Sequence, residues 1–161
     1  MFLANGSFEA GLGGWRPVNF AAAVSATVID DSTQAKQGNK FMRVQTSTSE
    51  GSIAQDVGIP LYVTSATYSS TTETVHTTAA LAARSLCFSV WLRAAPGQGP
   101  IRGVVALWDL GRNASVSTAF EVGNQWTQVA VTLDASAQQV RAEIYLMTAN
   151  QSLDVDGALL V

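Results

Sequence analysis

The sequence predicts an all-β fold, a β-sandwich of two antiparallel sheets, on three observations. Apolar and polar residues alternate with a period of two in one segment after another, the pattern of a strand with one face inside and one outside. Glycine, asparagine and serine break the chain at short intervals, the spacing of turns in a sandwich. No strongly amphipathic helical stretch interrupts the pattern.

The elements follow in order. Strands are expected near residues 22–30, 40–46 and 52–57. Residues 62–78 are rich in Thr, Ser and Val and favour extended backbone, whereas residues 79–84 suit a helical turn or two. The stretch 60–85 therefore reads as an elaborated connection, a hairpin with a short helix. In residues 87–93, Phe88, Val90 and Leu92 oppose Cys87, Ser89, Trp91 and Arg93. Strands near 102–110 and 115–121 come next. In residues 127–133, Val129, Val131 and Leu133 oppose Gln128, Ala130 and Thr132. In residues 139–148, Val140, Ala142, Ile144 and Leu146 share one face, and Arg141, Glu143, Tyr145 and Met147 the other. A strand over residues 153–161 closes the chain.

Composition bounds the function. At 161 residues the chain is one domain's worth, 1–161. Hydrophobic residues make up 47% and charged residues 13%, about half the usual share of charge, so the polar surface must be built from hydroxyls and amides. Nine basic against twelve acidic residues leave a net charge of −3 and no basic stripe, which argues against a phosphate-tracking nucleic-acid binder. No apolar run reaches the roughly 18 residues of a membrane span, and the opening residues lack the pattern of a signal peptide. The single Cys87 excludes an internal disulfide framework, and the single His76 a histidine-rich metal centre.

Both ends carry recognisable motifs. The chain opens on Asn5-Gly6-Ser7-Phe8-Glu9, then Gly11, Gly13, Gly14 and Trp15, and closes on Leu153-Asp154-Val155-Asp156-Gly157-Ala158-Leu159-Leu160-Val161. Between them stand Gln37-Gly38-Asn39-Lys40-Phe41-Met42-Arg43-Val44, Ile53-Ala54-Gln55-Asp56-Val57, Phe88-Ser89-Val90-Trp91-Leu92-Arg93-Ala94 and Gln125-Trp126-Thr127. In this order the segments resemble the carbohydrate-binding modules of the galactose-binding-like group, the family 4/9/22-like modules above all. The resemblance spans nearly the whole chain; it departs at the long 60–85 segment and at Gly157. It implies a jelly-roll sandwich, a polysaccharide or oligosaccharide partner, an extracellular setting and attachment to other domains in a longer protein; an excised module and a complete protein both stay open, as does a homo-oligomer.

The resemblance also implies a structural calcium joining the first and last strands. Such a cation needs six to eight oxygens, some of them charged. Glu9 and Asp156 would supply carboxylates, Ser7 and Lys40 backbone carbonyls, and Gln37 a side-chain or main-chain oxygen. The alternative is that Glu9 and Asp156 are ordinary surface acids.

For a ligand, the tryptophans matter. Trp15 follows a glycine-rich turn and is expected to plug one end of the sandwich; Trp126 begins a strand and is expected to pack. Trp91 shares the outer face of its strand with Ser89 and Arg93. Trp108 shares a face with Val104 and Ala106, opposite Val105 and Leu107, so that both faces of its strand are apolar up to Asp109 and either could serve the core; Tyr145 shares a face with Arg141 and Glu143. If these three strands lie in one sheet, Trp91, Trp108 and Tyr145 form an outer face with Arg93, Arg141 and Glu143. Aromatic planes then stack on sugar rings while the polar groups hydrogen-bond their hydroxyls. The alternative is that residues 60–85 cover this face and make it a second small core. Tyr62, Tyr68, Arg112 and Asn113 offer a loop site instead.

Catalytic constellations are weak, so the chain is read as non-enzymatic. His76 has no nucleophile elbow to serve, Cys87 lies within a strand without an activating base, and Glu143 and Asp109 are the strand-borne acids that could face a cleft. Asn113-Ala114-Ser115 and Asn150-Gln151-Ser152 fit the glycosylation sequon, a triplet common by chance. The rival to glycan binding is a structural adhesion or assembly domain of a virion, cell surface or secreted protein, since sites and not folds carry function.

Overall fold

The computed structural model describes residues 2–59, 67–69, 74–76, 84–135 and 138–161. Strands build nearly all of it: β1 (Arg16–Pro17), β2 (Val24–Asp30), β3 (Lys40–Thr46), β4 (Gly51–Gly58), β5 (Thr67–Ser69), β6 (Thr74–His76), β7 (Arg84–Ala94), β8 (Ile101–Asp109), β9 (Ala114–Val122), β10 (Thr127–Ala135), β11 (Gln139–Leu146) and β12 (Ser152–Leu160). One 3-10 turn, Ala21–Ala23, leads into β2. Sheet I has the order β1-β4-β11-β8-β9 and sheet II the order β10-β7-β12-β3-β2. Every pairing in them is antiparallel.

The period-two pattern dictates this sandwich because each strand buries one face. From sheet I, Ile53, Val105, Leu107, Val140, Ile144 and Leu146 point inward; from sheet II, Met42, Val44, Phe88, Val90, Leu92, Leu153 and Val155 meet them, all buried. Trp15 caps this core against Phe8, their ring centroids 5.7 Å apart. The expected strands of residues 87–93 and 127–133 lie within β7 and β10, and that of residues 139–148 corresponds to β11, which ends two residues earlier at Leu146; the expected residues are inside in all three.

Between β4 and β7, β5 and β6 pair as a small hairpin. The expectations for Tyr62, for the side chains of Tyr68 and His76 and for a cover over the outer face fall outside the described residues, as does the helix expected over residues 79–84 except at Arg84, which is not helical but begins β7.

The last strand carries a register change. Asp156 faces Trp91, but Leu159 faces Ser89, so β12 holds one residue more than β7 across this step. The extra residue resets the alternation, and Leu160 turns inward opposite Phe88, fully buried. Gly157 makes the bulge possible. Its φ is +55°, and a Cβ there would stand 2.9 Å from Cδ1 of Trp91, so backbone and space both require glycine.

A segment that alternation does not describe covers sheet II from outside. Residues 31–39, between β2 and β3, fold over its outer face. The Asp156 carboxylate accepts the backbone N–H groups of Lys36 and Gln37 at 2.9 and 2.8 Å. The Trp126 indole donates to the Gln34 carbonyl at 3.0 Å, and Gln34 accepts from Arg93 at 3.1 Å. Beneath this segment Phe41, fully buried, meets Trp126 edge-on.

Candidate functional site

The three strands of the expected aromatic face do not share a sheet. Strands β8 and β11 are neighbours in sheet I, but β7 lies in sheet II. Alternation assigns each side chain to a face of its own strand; it does not say which sheet the strand joins. Trp108, Tyr145, Arg141 and Glu143 therefore come together, and Trp91 and Arg93 face outward on the opposite side of the molecule. Arg93 is committed there. Its Nε donates to Asp154 at 3.0 Å, and its guanidinium lies 4.6 Å from the Trp126 ring centre. Trp91 stands under the Lys36 ammonium, 4.1 Å from its ring centre.

Strand β11 sets the geometry of the sheet I site. Tyr145 lies between Ser52 and Val104, Glu143 between Ala54 and Ala106, and Arg141 between Asp56 and Trp108. Opposed residues in antiparallel strands point the same way, so these form three rows on the outer face. Ser52, Ala54 and Ala106 are small, which keeps the floor low beside Trp108 and Tyr145. Val18 and Asn19 supply a wall, held by Asn19 N–H donating to Ser52 Oγ at 2.8 Å and Asn19 Nδ2 donating to the Glu50 carbonyl at 2.8 Å. The result is a cavity of about 180 Å³ lined also by Leu110 and Asn113.

Its electrostatics are uneven. Arg141 grips Asp56 through both fork positions, at 2.7 and 3.0 Å, and Arg16 joins at 2.9 Å. Glu143 is 2% exposed, accepts a 2.5 Å hydrogen bond from Ser52 Oγ, and is in no salt bridge among the described residues. Burial first, and then the Glu143 carboxylate beside it, push the Tyr145 phenol up to about 12, so it stays a neutral donor and acceptor. The Trp108 indole N–H is buried without a well-formed hydrogen bond, near enough to Tyr145 to favour its phenolate slightly. Polar groups left so in a cleft are available to a ligand's hydroxyls.

Asp56 gives a pH prediction. The Arg141 hydrogen bonds, more than Arg16, hold its carboxyl below the ordinary value. Its contribution to stability is therefore complete above about pH 4 and lost as pH falls through the lowered value. Thermal melts of the wild type and Asp56→Asn should differ at neutral pH and converge on acidification. A difference that persists unchanged at the lowest pH contradicts the assignment.

Asp109 takes a different part from the one its sequence position suggests. It lies one residue from Trp108, hence on the other face of β8, fully buried. It accepts from the Arg112 backbone N–H at 3.1 Å and from Arg112 Nε at 2.7 Å, holding the β8–β9 turn. Glu143 and Asp109 thus project to opposite faces. Ser52, Asp56, Arg16, Val18 and Asn19 are site residues that the sequence reading did not single out. For Ser52 and Asp56 the signal was present, because both share the period-two phase of Ala54, opposite that of the core residue Ile53.

The residues proposed for a cation converge at the other side, where the N-terminal segment, residues 36–40 and β12 meet. Glu9 Oε1 accepts the backbone N–H groups of Asn39 and Lys40, each at 2.8 Å; Lys40 Nζ reaches the Glu9 carbonyl at 3.3 Å. Asp156 Oδ2 holds the Lys36 and Gln37 amides, and Oδ1 accepts from Gly157 N–H at 2.7 Å. Burial raises the Asp156 carboxyl, the backbone bonds lower it, and the Glu9 charge raises it again. Two like charges felt across a buried corner, with Glu9 Oε2 outside these hydrogen bonds, suit a hard cation. No group of three or more His, Cys, Asp or Glu residues exists among the described residues, so neutral oxygens must complete any such site. Gln37 adjoins Asp156 through its backbone N–H, and Ser7 and Gln37 line a cavity together with Gly157.

No protein-family model matches the sequence, and no curated protein matches it. Solved structures do. A family 61 carbohydrate-binding module, TmCBM61, in complex with beta-1,4-galactotriose, aligns over 99% of this chain and 96% of its own, with TM-score 0.66 and 17% identity. The CBM22-1 xylan-binding domain of Paenibacillus barcinonensis Xyn10C aligns over 96% of this chain and 89% of its own, with TM-score 0.65 and 13% identity. The enzymatically active domain of bacteriophage CBA120 tailspike protein 4 matches 98% of this chain, which spans 21% of that protein, with TM-score 0.61 and 12% identity. At these identities the likeness establishes the fold: the chain shares the β-sandwich of carbohydrate-binding modules.

Proposed function

We propose that the chain is a non-catalytic carbohydrate-binding module that takes a glycan along the outer face of sheet I. The observation that carries this reading is one trough holding Trp108, Tyr145, Arg141 and the buried Glu143, which has no salt bridge among the described residues, above a floor of small residues. The aromatic rings offer planes for the C–H faces of sugars; Glu143 and the Trp108 N–H offer an acceptor and a donor for hydroxyls. Arg141, fixed by Asp56, is held ready rather than ordered on binding, which lowers the entropic cost. A solved module in complex with beta-1,4-galactotriose, and a solved pair of CBM22-1 and GH10 modules complexed with xylohexaose, support the same ligand class. In a longer extracellular protein the module would raise the local concentration of glycan around a partner domain.

Affinity electrophoresis against soluble galactan, xylan and β-glucan tests the reading. At least one should retard the protein, and Trp108→Ala, with the fold intact by circular dichroism, should weaken binding about 10- to 100-fold. No retardation by any glycan in a broader panel, or an unaffected Trp108→Ala, contradicts it.

The same reading includes a structural calcium held by the carboxylates of Glu9 and Asp156, with carbonyl oxygens of Ser7 and Lys40 and an oxygen of Gln37. When bound, the cation supplies positive charge to the acidic corner and ties the N-terminal segment to residues 36–40 and β12.

The tailspike likeness favours a second reading, a structural domain of a larger assembly. Among the described residues the large exposed hydrophobics are Phe20, Met147 and Val161, too few for the apolar patch that assembly uses. A defined oligomer in light scattering, without glycan binding, would favour this alternative.

A further inference from the structure

We propose that the outer face of sheet II carries a second saccharide site, a compact pocket for one or two neutral sugar rings. The glycan-binding reading supplies only its ligand class; its geometry is independent. The cavity measures about 360 Å³, at the small end of the roughly 300–1,000 Å³ of ligand pockets and larger than the trough on sheet I. It opens beside the β12 bulge, where the one-residue register change lifts Gly157 and Ala158 out of the ladder.

Five parts of the chain build it. The N-terminal segment gives Ser7, residues 31–39 give Gln37, β7 and β10 give Ser89, Trp91 and Gln128, and β12 gives Leu159. The polar members are hydroxyls and amides, which both donate and accept, as sugar hydroxyls do. The side chains of Gln37, Ser89 and Gln128 enter no hydrogen bond among the described residues. None of the lining residues is Asp, Glu, Lys, Arg or His, so a phosphate or carboxylate ligand would find no counter-charge there. Lys36 stands over the Trp91 ring at 4.1 Å and is not among the lining residues. Trp91 itself is one of the lining residues. An aromatic surface with several neutral amides and a hydroxyl matches the polar–apolar faces of a pyranose.

Because sheets I and II face opposite ways, one glycan chain passing over the trough does not also enter the pocket. Two sites on one domain let it bridge separate chains. Heteronuclear NMR of the full chain, with calcium present, tests the proposal. The methyl glycosides of galactose, glucose, mannose and xylose serve as probes. At least one should shift the Trp91 indole and the side-chain amides of Gln37 and Gln128, saturably. Ser89→Leu fills the pocket from an outward-facing strand position without opening a core void; it should weaken that response at least tenfold. Trp108→Ala should leave it in place. The proposal is overturned if no probe moves these resonances, or if Ser89→Leu leaves the titration unchanged. A trough that fails to bind polysaccharide while Trp91 still responds would reject the first site alone, and the reverse pattern would reject this one alone.

Discussion

Replacing Asp154 by alanine is expected to lower stability by roughly 3–5 kcal/mol, and the melting temperature by about 10 °C at this chain length. Asp154 is fully buried on the outer face of β12. It accepts from Arg43 Nε at 2.7 Å and Nη2 at 3.1 Å, and from Arg93 Nε at 3.0 Å. One carboxylate therefore balances two guanidinium groups, whose side chains are 29% and 10% exposed. Removing it leaves Arg93 with its charge uncompensated beneath residues 31–39. The rings of Phe41 and Trp126, 5.5 and 4.6 Å from that guanidinium, soften the loss without replacing an anion. The damage comes from the orphaned charges rather than from the bridge's own worth. Restoring neutrality with Arg43→Met and Arg93→Met should therefore recover much of the lost stability in the Asp154→Leu background. Calorimetry decides: a loss below about 1 kcal/mol for Asp154→Ala would show that the cluster is not desolvated as described.

Chelation is the second large effect. A cation bound only by the folded chain stabilises it by about 2.7 kcal/mol when its free concentration is a hundredfold above Kd. EDTA should lower the melting temperature by about 5–10 °C, and added calcium should restore it. Asp156→Asn keeps the shape of the side chain but removes one of the two carboxylate charges. Its melting temperature should respond little to either reagent. A wild-type melt indifferent to EDTA and to calcium would reject the site. The corner would then be held by the hydrogen bonds of Glu9 and Asp156 alone.

Much of the fold was legible in the sequence because period-two alternation reports directly on burial. The inward sets of β7, β10 and β11 can be read by eye, and the outer residues of β11 stand in the trough as their phase implied. What alternation lacks is connectivity. Trp91 has an outward phase and Trp108 stands in a segment apolar on both faces, and nothing local in residues 87–93 or 102–110 reports that β7 pairs with β10 and β12 while β8 pairs with β9 and β11. That information resides in pairings between residues far apart in sequence, such as Asp156 with Trp91 and Glu143 with Ala106. The cover over Trp91 and Arg93 was hidden for a related reason. Residues 31–39 are short and polar, and what fixes them is Asp156, which reads in sequence as one more acid. Conversely, Glu9 and Asp156 could be paired from the end motifs and the family resemblance, and the fold does bring both beside residues 36–40.

The docking of residues 36–37 on Asp156 has a kinetic consequence. These bonds join positions 120 and 119 residues apart, and they exist only after β12 has taken its place between β3 and β7. Contacts of such separation are closed against a large loop entropy and tend to come late in folding. Interactions absent from the transition state act on the rate of unfolding and leave the rate of folding nearly untouched. Calcium at this corner should accordingly lengthen the lifetime of the folded module, with stopped-flow refolding rates almost the same with and without it. Strand β12 would then act as a latch, setting how long the module persists rather than how fast it forms.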